Sequence, residues 1–117
     1  MDDIALVLRW SWGSAWQDWF RRWPGTVLHF PDYDPAGLRI FASEVLSHRP
    51  EAKLMIPEGF EAILEKQGSR KLYLRQEPLN FQLANDPRIK PVSILLKFHR
   101  KALEQEELLY DERGASR

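Results

Sequence analysis

Residues 26–41 read TVLHFPDYDPAGLRIF, and this stretch decides the fold. Its first five residues, Thr26 to Phe30, are of strand-forming type and run directly towards Asp32 and Asp34. In extended backbone, residues two apart project to the same side, so both carboxylates can converge just past the end of a strand. A proline, a glycine and an amphipathic stretch follow. This order predicts a strand, a turn and a helix.

Two interpretations of the carboxylates stand side by side. A hard cation such as Mg²⁺, or Mn²⁺ in its place, takes one or two protein carboxylates and completes its shell with water and phosphate. Open α/β sheets place such sites at the carboxyl ends of their strands. However, Asp34 before Pro35 is also an ordinary start of a helix, and Asp32 after Pro31 is an ordinary turn residue. The two residues taken alone favour neither interpretation.

The composition restricts the class of protein. A chain of 117 residues predicts one domain. The 17 Lys and Arg residues balance the 17 Asp and Glu residues, so the chain has no net positive charge with which to attract nucleic acid. Contact with DNA or RNA would need a local basic patch or other domains. The absence of cysteine excludes disulfides and thiolate zinc sites. Without a long apolar run or a signal peptide, we expect a soluble cytoplasmic protein with no membrane partner.

The first third of the chain predicts a strand and an aromatic helix. Residues 4–8 form an apolar strand pattern, and the helix that we expect over residues 15–23 carries Trp16, Trp19, Phe20 and Trp23 on one face. This spacing favours packing in the core or against a neighbour over stacking on nucleic-acid bases.

The next segments complete a βαβ unit. A helix is predicted over residues 36–47, with its apolar face formed by Leu38, Phe41, Ala42, Val45 and Leu46 and with Arg39, Glu44, His48 and Arg49 largely off that face. A third strand is predicted over residues 52–56. Strand, helix and strand with short connections predict an α/β fold with a mostly parallel sheet and a right-handed crossover.

The C-terminal half is less regular. We expect a short helix that ends at Lys66, a break at Gly68, and a short strand or extended segment over residues 72–74. Residues 76–91 are expected to be mostly loop or short helix. A last helix begins near Pro91. It is predicted to continue, with or without a break, through residues 102–109.

Further carboxylates follow the third strand and lie near the C terminus. Glu58 comes directly after the predicted strand, and Glu104 and Glu106 lie in the sequence LEQEE that begins at Leu103. Glu58 also fits first-turn charge at a helix N terminus, and Glu106 and its neighbour fit a solvated helix face. From the residues alone, the aspartate pair is the stronger candidate site.

The sequence HFPDYDPAGLRIF, with Asp32, Asp34 and Gly37, resembles the DxD motif of Toprim domains, the metal-binding fold of topoisomerases, primases and several nucleases. It is most similar to the nuclease subunit of Wadjet-type plasmid-defence systems and, more distantly, to the topoisomerase VI A subunit. Residues 55–58 and 103–106 resemble two further elements of that subunit, and the whole resemblance spans residues 4–109. It implies a Toprim-like, Rossmann-like sheet flanked by helices.

One element of the Toprim pattern is missing. These domains carry a glutamate on or after a strand that precedes the strand matched by residues 4–8, and neither Asp2 nor Asp3 fits that role. We therefore expect residues 1–110 to form a partial Toprim-like domain that lacks the first strand and its glutamate, and residues 111–117 to form a flexible tail. Such a domain is either the C-terminal part of a longer protein or degenerate.

The resemblance implies Mg²⁺-dependent cleavage of DNA phosphodiesters. Asp32 and Asp34 would hold the metal, with Glu58 and Glu106 as further catalytic carboxylates, and Arg39 is a weaker candidate for a phosphate contact. His29 and Tyr33 alternate away from the carboxylates and are expected in the core. DNA would be reached through other domains or subunits, in a homodimer or multi-subunit complex.

Two other functions compete. A non-catalytic Toprim-like scaffold would position DNA or mediate assembly through the surface of Trp16, Trp19 and Trp23. A haloacid-dehalogenase-like phosphatase would use Asp32 as nucleophile and Asp34 as acid and base, but the Pro-Ala-Gly that follows is atypical of that motif.

Overall fold

The computed structural model describes residues 4–7 and 14–105, and of residues 4–7 and 14–17 it describes the backbone alone. Three strands, β1 (Ile4–Val7), β2 (Thr26–His29) and β3 (Lys53–Leu54), form a parallel sheet in the order β1-β2-β3. Ile4 pairs with Thr26, and Leu28 pairs with Lys53. The predicted α/β class and the parallel sheet are confirmed, with β2 as the middle strand.

A helical run of three segments follows β2. It consists of α2 (Pro35–Ile40), a π-helical turn (Phe41–Val45) and α3 (Leu46–His48). The predicted apolar face is confirmed, because Leu38, Phe41, Val45 and Leu46 are buried. Val27 and His29 of β2 are buried as well, and the rings of His29 and Phe41 stack with centroids 5.6 Å apart.

The aromatic helix α1 (Ser14–Arg22) has a mixed environment. Phe20 is completely buried, whereas 47% of Trp19 is exposed. Trp23 is partly buried and its indole nitrogen donates to the carbonyl oxygen of Thr26. Core packing therefore accounts for part of the predicted face, and the side chain of Trp16 lies outside the described residues.

Arg49 is a buried charge that the sequence pattern did not predict. Its guanidinium donates to the carbonyl oxygens of Phe20, Trp23 and Gly25, over distances of 2.7–2.9 Å, and to a carboxylate oxygen of Glu51 at 2.6 Å. A cation at a helix C terminus neutralises the negative end of the helix dipole. Arg49 thereby joins the end of α1 to the end of α3.

The predicted strand or extended segment over residues 72–74 is wrong, and the helix that covers the start of residues 76–91 is longer than predicted, whereas residues 84–89 lie outside any helix. After α4 (Phe60–Gln67), a helix α5 extends from Arg70 to Leu83. The Ser69 hydroxyl oxygen caps it by accepting from the Leu72 amide at 3.0 Å. Pro78 lies inside α5, where a proline removes one backbone hydrogen bond. The cap and the burial of Tyr73 and Asn80 on one face compensate for that loss.

The last helix is also shorter than predicted. Helix α6 spans Lys90–His99 and ends at Arg100, whose φ of 52° is left-handed. Ala102 and Leu103 are extended and form antiparallel bridges to Ser69 and Tyr33. The predicted helix over residues 102–109 is therefore wrong at its start, and residues 106–109 lie outside the described part of the chain.

The core lies between the sheet and the helices, and Tyr33 and Tyr73 are its largest fully buried side chains. Within residues 4–7 and 14–105, none of the helices combines the length and the apolar character needed to cross a membrane.

Candidate metal centre at the Asp32–Asp34 turn

Asp34 caps the N terminus of α2. Its backbone is extended, with φ −132° and ψ 166°, and its Oδ1 accepts from the amide of Gly37 at 2.7 Å. Pro35 occupies the first turn of the helix, where a missing amide costs nothing. The capping interpretation of Asp34 is thus confirmed as geometry.

Gly37 allows the turn to fold tightly over the helix. A Cβ atom at Gly37 would lie 2.1 Å from the carbonyl oxygen of Asp32, well inside van der Waals contact. Only a residue without a side chain fits there, because the neighbouring atom belongs to the backbone. The glycine of the motif therefore holds the backbone of Asp32 against the first turn of α2.

Gln76 of α5 binds the same turn from the other side. Its Oε1 accepts from the Ala36 amide at 2.7 Å, and its Nε2 donates to Oδ2 of Asp34 at 3.3 Å. Both oxygens of Asp34 consequently have a hydrogen-bond donor. This side chain fixes the orientation of the carboxylate from a helix 42 residues further along the chain.

Asp32 is exposed and is held by the C-terminal segment. Its Oδ1 accepts from the Gln105 amide at 2.7 Å, and the Gln105 side chain donates to the carbonyl oxygen of Phe30. The flanking bridge consists of two backbone hydrogen bonds between Tyr33 and Leu103, at 2.8 and 3.0 Å. The segment that begins at Leu103 is therefore part of the wall of the site.

The residues that flank the carboxylates pack into the core, as predicted. Tyr33 is completely buried between Phe30 and Phe60, its hydroxyl donates to the Met55 carbonyl oxygen, and burial raises its pKa. His29 is 2% exposed, and burial lowers its pKa to about 4. Its Nδ1 is buried without a hydrogen-bond partner. His29 is therefore neutral in the folded protein at pH 7.

The electrostatics distinguish the two aspartates. Asp34 is 7% exposed, and burial raises the pKa of its carboxyl group, with a further increase from the charge of Asp32. The hydrogen bonds from Gly37 and Gln76 lower the pKa and oppose this effect. A buried carboxylate next to a second carboxylate favours the approach of a cation, because a cation would relieve both unfavourable contributions.

The chemistry of the donor set fits a hard cation. Each carboxylate oxygen has two lone pairs, and the hydrogen bonds described above use one on Oδ1 of Asp32 and one on each oxygen of Asp34. Asp32 is the better ligand because it is exposed. Mg²⁺ retains several waters and needs one or two carboxylates, so this pair is sufficient in number.

The other predicted site residues are more scattered. Glu58 is exposed in the turn before α4, Glu104 is exposed after Leu103, and Arg39 is exposed on α2. Across residues 18–105, no group of three or more His, Asp or Glu side chains is placed to hold a metal ion, so Glu58 does not complete a three-carboxylate cluster with the aspartates. Glu106 lies outside the described residues.

Two contributors to the site were not predicted. Gln76 lies in a segment that the three prolines made look like a loop, and no sequence signal indicated it. Gln105 lies inside the LEQEE sequence, whose glutamates were the predicted site residues. The backbone amide and the neutral side chain of Gln105 make the contacts instead.

The fold and the site define an α/β protein with a carboxylate-bearing turn at the end of its central parallel strand. The chain belongs to a family described as a domain of unknown function, DUF7281, which matches residues 13–113. No curated protein and no solved structure matches this chain.

Proposed function

We propose that this chain is a Toprim-like module that binds Mg²⁺ for the cleavage of DNA phosphodiesters. One observation carries the proposal: Asp32 and Asp34 lie together at the carboxyl end of the central parallel strand, where α/β folds place their sites. The resemblance of the DxDPxG sequence to Toprim domains, including the Wadjet-type nuclease subunit, supplies the class of reaction.

In this proposal the two aspartates have different tasks. Exposed Asp32 is the direct ligand, and buried Asp34 adds negative charge behind it while it caps α2. Held by this pair, Mg²⁺ or Mn²⁺ would supply positive charge to offset the charge on the scissile phosphate. Glu58 and Glu106 are the further carboxylates of the reaction, and Arg39 is a candidate for a phosphate contact.

The remaining parts come from elsewhere. The glutamate expected upstream in Toprim domains and most of the DNA contacts would be supplied by other domains or subunits. A chain with no net charge gains little from counterion release on its own, so tight DNA binding requires such partners.

A non-catalytic Toprim-like scaffold is the second candidate. It is favoured by the hydrogen bonds that occupy both oxygens of Asp34 and by the lack of a third carboxylate beside the pair in the described part of the chain. In that role the turn stabilises the fold, and the half-exposed Trp19 belongs to a surface for assembly or for positioning DNA.

Calorimetric titration with MgCl₂ and with MnCl₂ separates the two candidates. The variants Asp32→Asn and Asp34→Asn remove one charge each but retain a side-chain oxygen for the amides of Gln105 and Gly37. We expect the wild type to bind one ion and each variant to lose at least about tenfold in affinity while it stays folded. Glu65→Gln, an exposed carboxylate on α4, is the matched control and binds normally.

If the folded wild type binds neither ion, the result supports the scaffold and rules out the proposed metal centre. If binding is present, nicking of supercoiled plasmid in the presence of Mg²⁺ then tests whether this chain catalyses cleavage without an upstream glutamate.

A further inference from the structure

Residues 70–101, which contain α5 and α6, form a basic segment within a neutral chain. This segment has eight Lys and Arg residues and two Asp and Glu residues, whereas the rest of the chain has nine and fifteen. The neutrality of the whole chain therefore results from two parts of opposite charge. A local basic surface can attract a polyanion even when the net charge of a domain is zero.

The two acidic side chains of the basic segment are already paired. Glu77 lies 3.6 Å from Arg100, and Asp86 binds Arg88 at 2.9 Å. Lys101 donates to a backbone carbonyl oxygen of α4. The five other cations are exposed, and none of them forms an ion pair with an acidic residue that the structure describes: Arg70, Lys71, Arg75, Lys90 and Lys97.

Aromatic rings lie among these cations. On α5, Arg70 and Phe81 share one helical face, because they are three turns apart. On α6, Lys90 and Phe98 are about two turns apart and share a face as well. Lys97 joins the two helices, since its Nζ lies 5.5 Å from the ring centroid of Phe81. We call Arg70, Phe81, Lys90, Lys97 and Phe98 the α5–α6 face.

Both rings of the α5–α6 face are open to solvent. Phe98 is 75% exposed and Phe81 52%, and Ile94, one turn before Phe98, is 51% exposed. Large apolar side chains exposed together are typical of a binding surface. Rings and cations alternate on this surface, whereas an amphipathic peptide helix carries its charges and its apolar residues on separate faces. The pattern therefore fits a ligand in which anionic groups and flat apolar groups also alternate.

A single strand of nucleic acid has this chemistry. Its phosphates bind Lys and Arg, and its unpaired bases stack on aromatic rings. Along α5, Arg70 is about 16 Å from Phe81, the ring next to Lys97, so one small anion cannot bridge Arg70 and Lys97. In a duplex the bases are paired and stacked on one another, which makes their faces inaccessible to Phe81 and Phe98.

Helix α5 connects the basic segment to the carboxylate turn. Gln76 of α5 contacts Asp34 and the amide of Ala36. Arg75 directly precedes Gln76, and Lys71 lies one turn before Arg75 on the exposed side of α5. Exposed cations therefore continue along α5 to the turn of the helix that binds the carboxylate.

We propose that the α5–α6 face binds single-stranded DNA. Arg70, Lys90 and Lys97 contact phosphates, and Phe81 and Phe98 stack on bases. The inference deepens the proposed function and rests on it for the choice of DNA over RNA. The affinity is moderate because few phosphates are contacted, and the face positions a strand that other domains or subunits hold more tightly.

Fluorescence anisotropy of a labelled 20-nucleotide DNA strand tests the proposal on the full chain. The buffer contains about 50 mM NaCl and EDTA, so that binding does not depend on a metal ion. We expect a Kd of about 10⁻⁵ M for the single strand. The same sequence as a duplex should bind more weakly, because its bases do not reach the phenylalanine rings.

Two double variants separate charge from stacking. Lys90→Gln with Lys97→Gln should weaken binding at least about tenfold. It should also reduce the slope of log affinity against log salt by about 1.4, since each phosphate contact to a single strand contributes about 0.7. Phe81→Ala with Phe98→Ala should weaken binding at least about fivefold and leave that slope unchanged, because the bases and not the phosphates lose a partner.

Lys53→Gln with Lys66→Gln is the matched control. It changes two exposed lysines of β3 and α4, outside the α5–α6 face, and should bind DNA as the wild type does. Circular dichroism shows whether each variant is folded. The proposal is overturned by a folded wild type that binds no single strand, by face variants that bind like the control, or by tighter binding of the matching RNA strand.

An acidic protein is the competing occupant of the α5–α6 face. If the phenylalanine variant binds DNA normally and poly-L-glutamate displaces the strand from the wild type, the surface recognises acidic polymers and the proposal is wrong. The metal site is tested separately. A chain that fails to bind Mg²⁺ in calorimetry loses the metal centre alone, whereas a chain that binds Mg²⁺ but no single strand overturns this inference alone.

Discussion

Asp34 and Arg49 are two buried charged groups at helix ends, and they differ in how fully they are neutralised. Arg49 lies beside the C-terminal end of α1 and donates to three carbonyl oxygens and one carboxylate. Asp34 lies at the N terminus of α2, where two donors meet it, but a second carboxylate, Asp32, stands beside it. Arg49 is compensated within the fold, whereas the aspartate pair leaves a surplus of negative charge.

The comparison separates structural charge from candidate functional charge. A buried ion that is fully hydrogen-bonded by its own chain has no need of a ligand, and its removal affects stability. Two adjacent carboxylates, one of them exposed, retain capacity for a cation. Burial alone would not have distinguished the two, since Arg49 and Asp34 are 8% and 7% exposed.

The largest expected effect concerns Arg49. The substitution Arg49→Ala leaves three carbonyl oxygens without their donor and should lower the free energy of unfolding by about 3–5 kcal/mol. Arg49→Lys is the matched variant, because one ammonium replaces a planar fork and recovers part of the loss. Urea denaturation followed by circular dichroism measures both. A wild-type midpoint for Arg49→Ala would mean that this cation does not stabilise the fold.

Gly37→Ala tests how tightly the carboxylate turn is closed. The added Cβ would meet the carbonyl oxygen of Asp32 at 2.1 Å, so the backbone has to move, at a cost of about 2–3 kcal/mol. Gly59→Ala is the control, because Gly59 has φ 75° but no atom within 4 Å of its would-be Cβ, and strain alone costs about 1 kcal/mol. Equal losses in the two variants would show that the close approach at Gly37 is unimportant.

His29 is a buried titratable side chain whose Nδ1 has no hydrogen-bond partner. Its pKa is about 4 in the folded state against 6.5 when unfolded, so the unfolded state alone takes up a proton between these values. Stability should be constant above pH 7.5 on this account and fall by about 2 kcal/mol between pH 7.5 and pH 5. His29→Phe should lose that component of the pH dependence, while His48→Gln on the half-exposed end of α3 should retain it. Urea denaturation of the wild type and both variants at pH 7.5 and at pH 5 measures this difference in the free energy of unfolding.

The smallest effect concerns the pairing of Asp34 with Gln76. Asp34→Asn sets an amide against the Gln76 donor, and Gln76→Glu sets two carboxylates against each other, each at a cost of about 1 kcal/mol. The double variant restores donor and acceptor in reversed order, so a double-mutant cycle should give a coupling of about 2 kcal/mol. No coupling would mean that Gln76 does not orient the carboxylate.

The same cycle has a pH signature. Because the folded pKa of Asp34 is raised, its neutral form is favoured in the folded state, and its contribution increases stability as pH falls through that pKa. Asp34→Asn should lose this contribution, with stability measured across the acid range against the Glu65→Gln control. An unchanged acid profile would show that Asp34 titrates as it does in the unfolded chain.

The parts predicted from the sequence are those with a clear local period or cap. The three strands, the apolar face of α2 and α3, and the cap before Pro35 follow from residue spacing, and the structure has them all. Helix α5 was missed because Pro78 and a weak apolar period concealed it, while long-range burial of Tyr73 and Asn80 stabilises it. The contacts of Arg49 with backbone carbonyls and those of Gln76 and Gln105 join residues 24–75 positions apart, and no local pattern encodes them.

The closure of the carboxylate turn by Gln105 bears on the order of events during synthesis. Asp32 and the Gln105 amide that binds it are 73 residues apart. At about 5–20 residues per second, a ribosome needs roughly 4–15 seconds to proceed from one to the other. For that interval Asp32 is translated but lacks the segment that later holds it. A nascent chain therefore acquires the complete turn only after almost everything else in the described fold has been made.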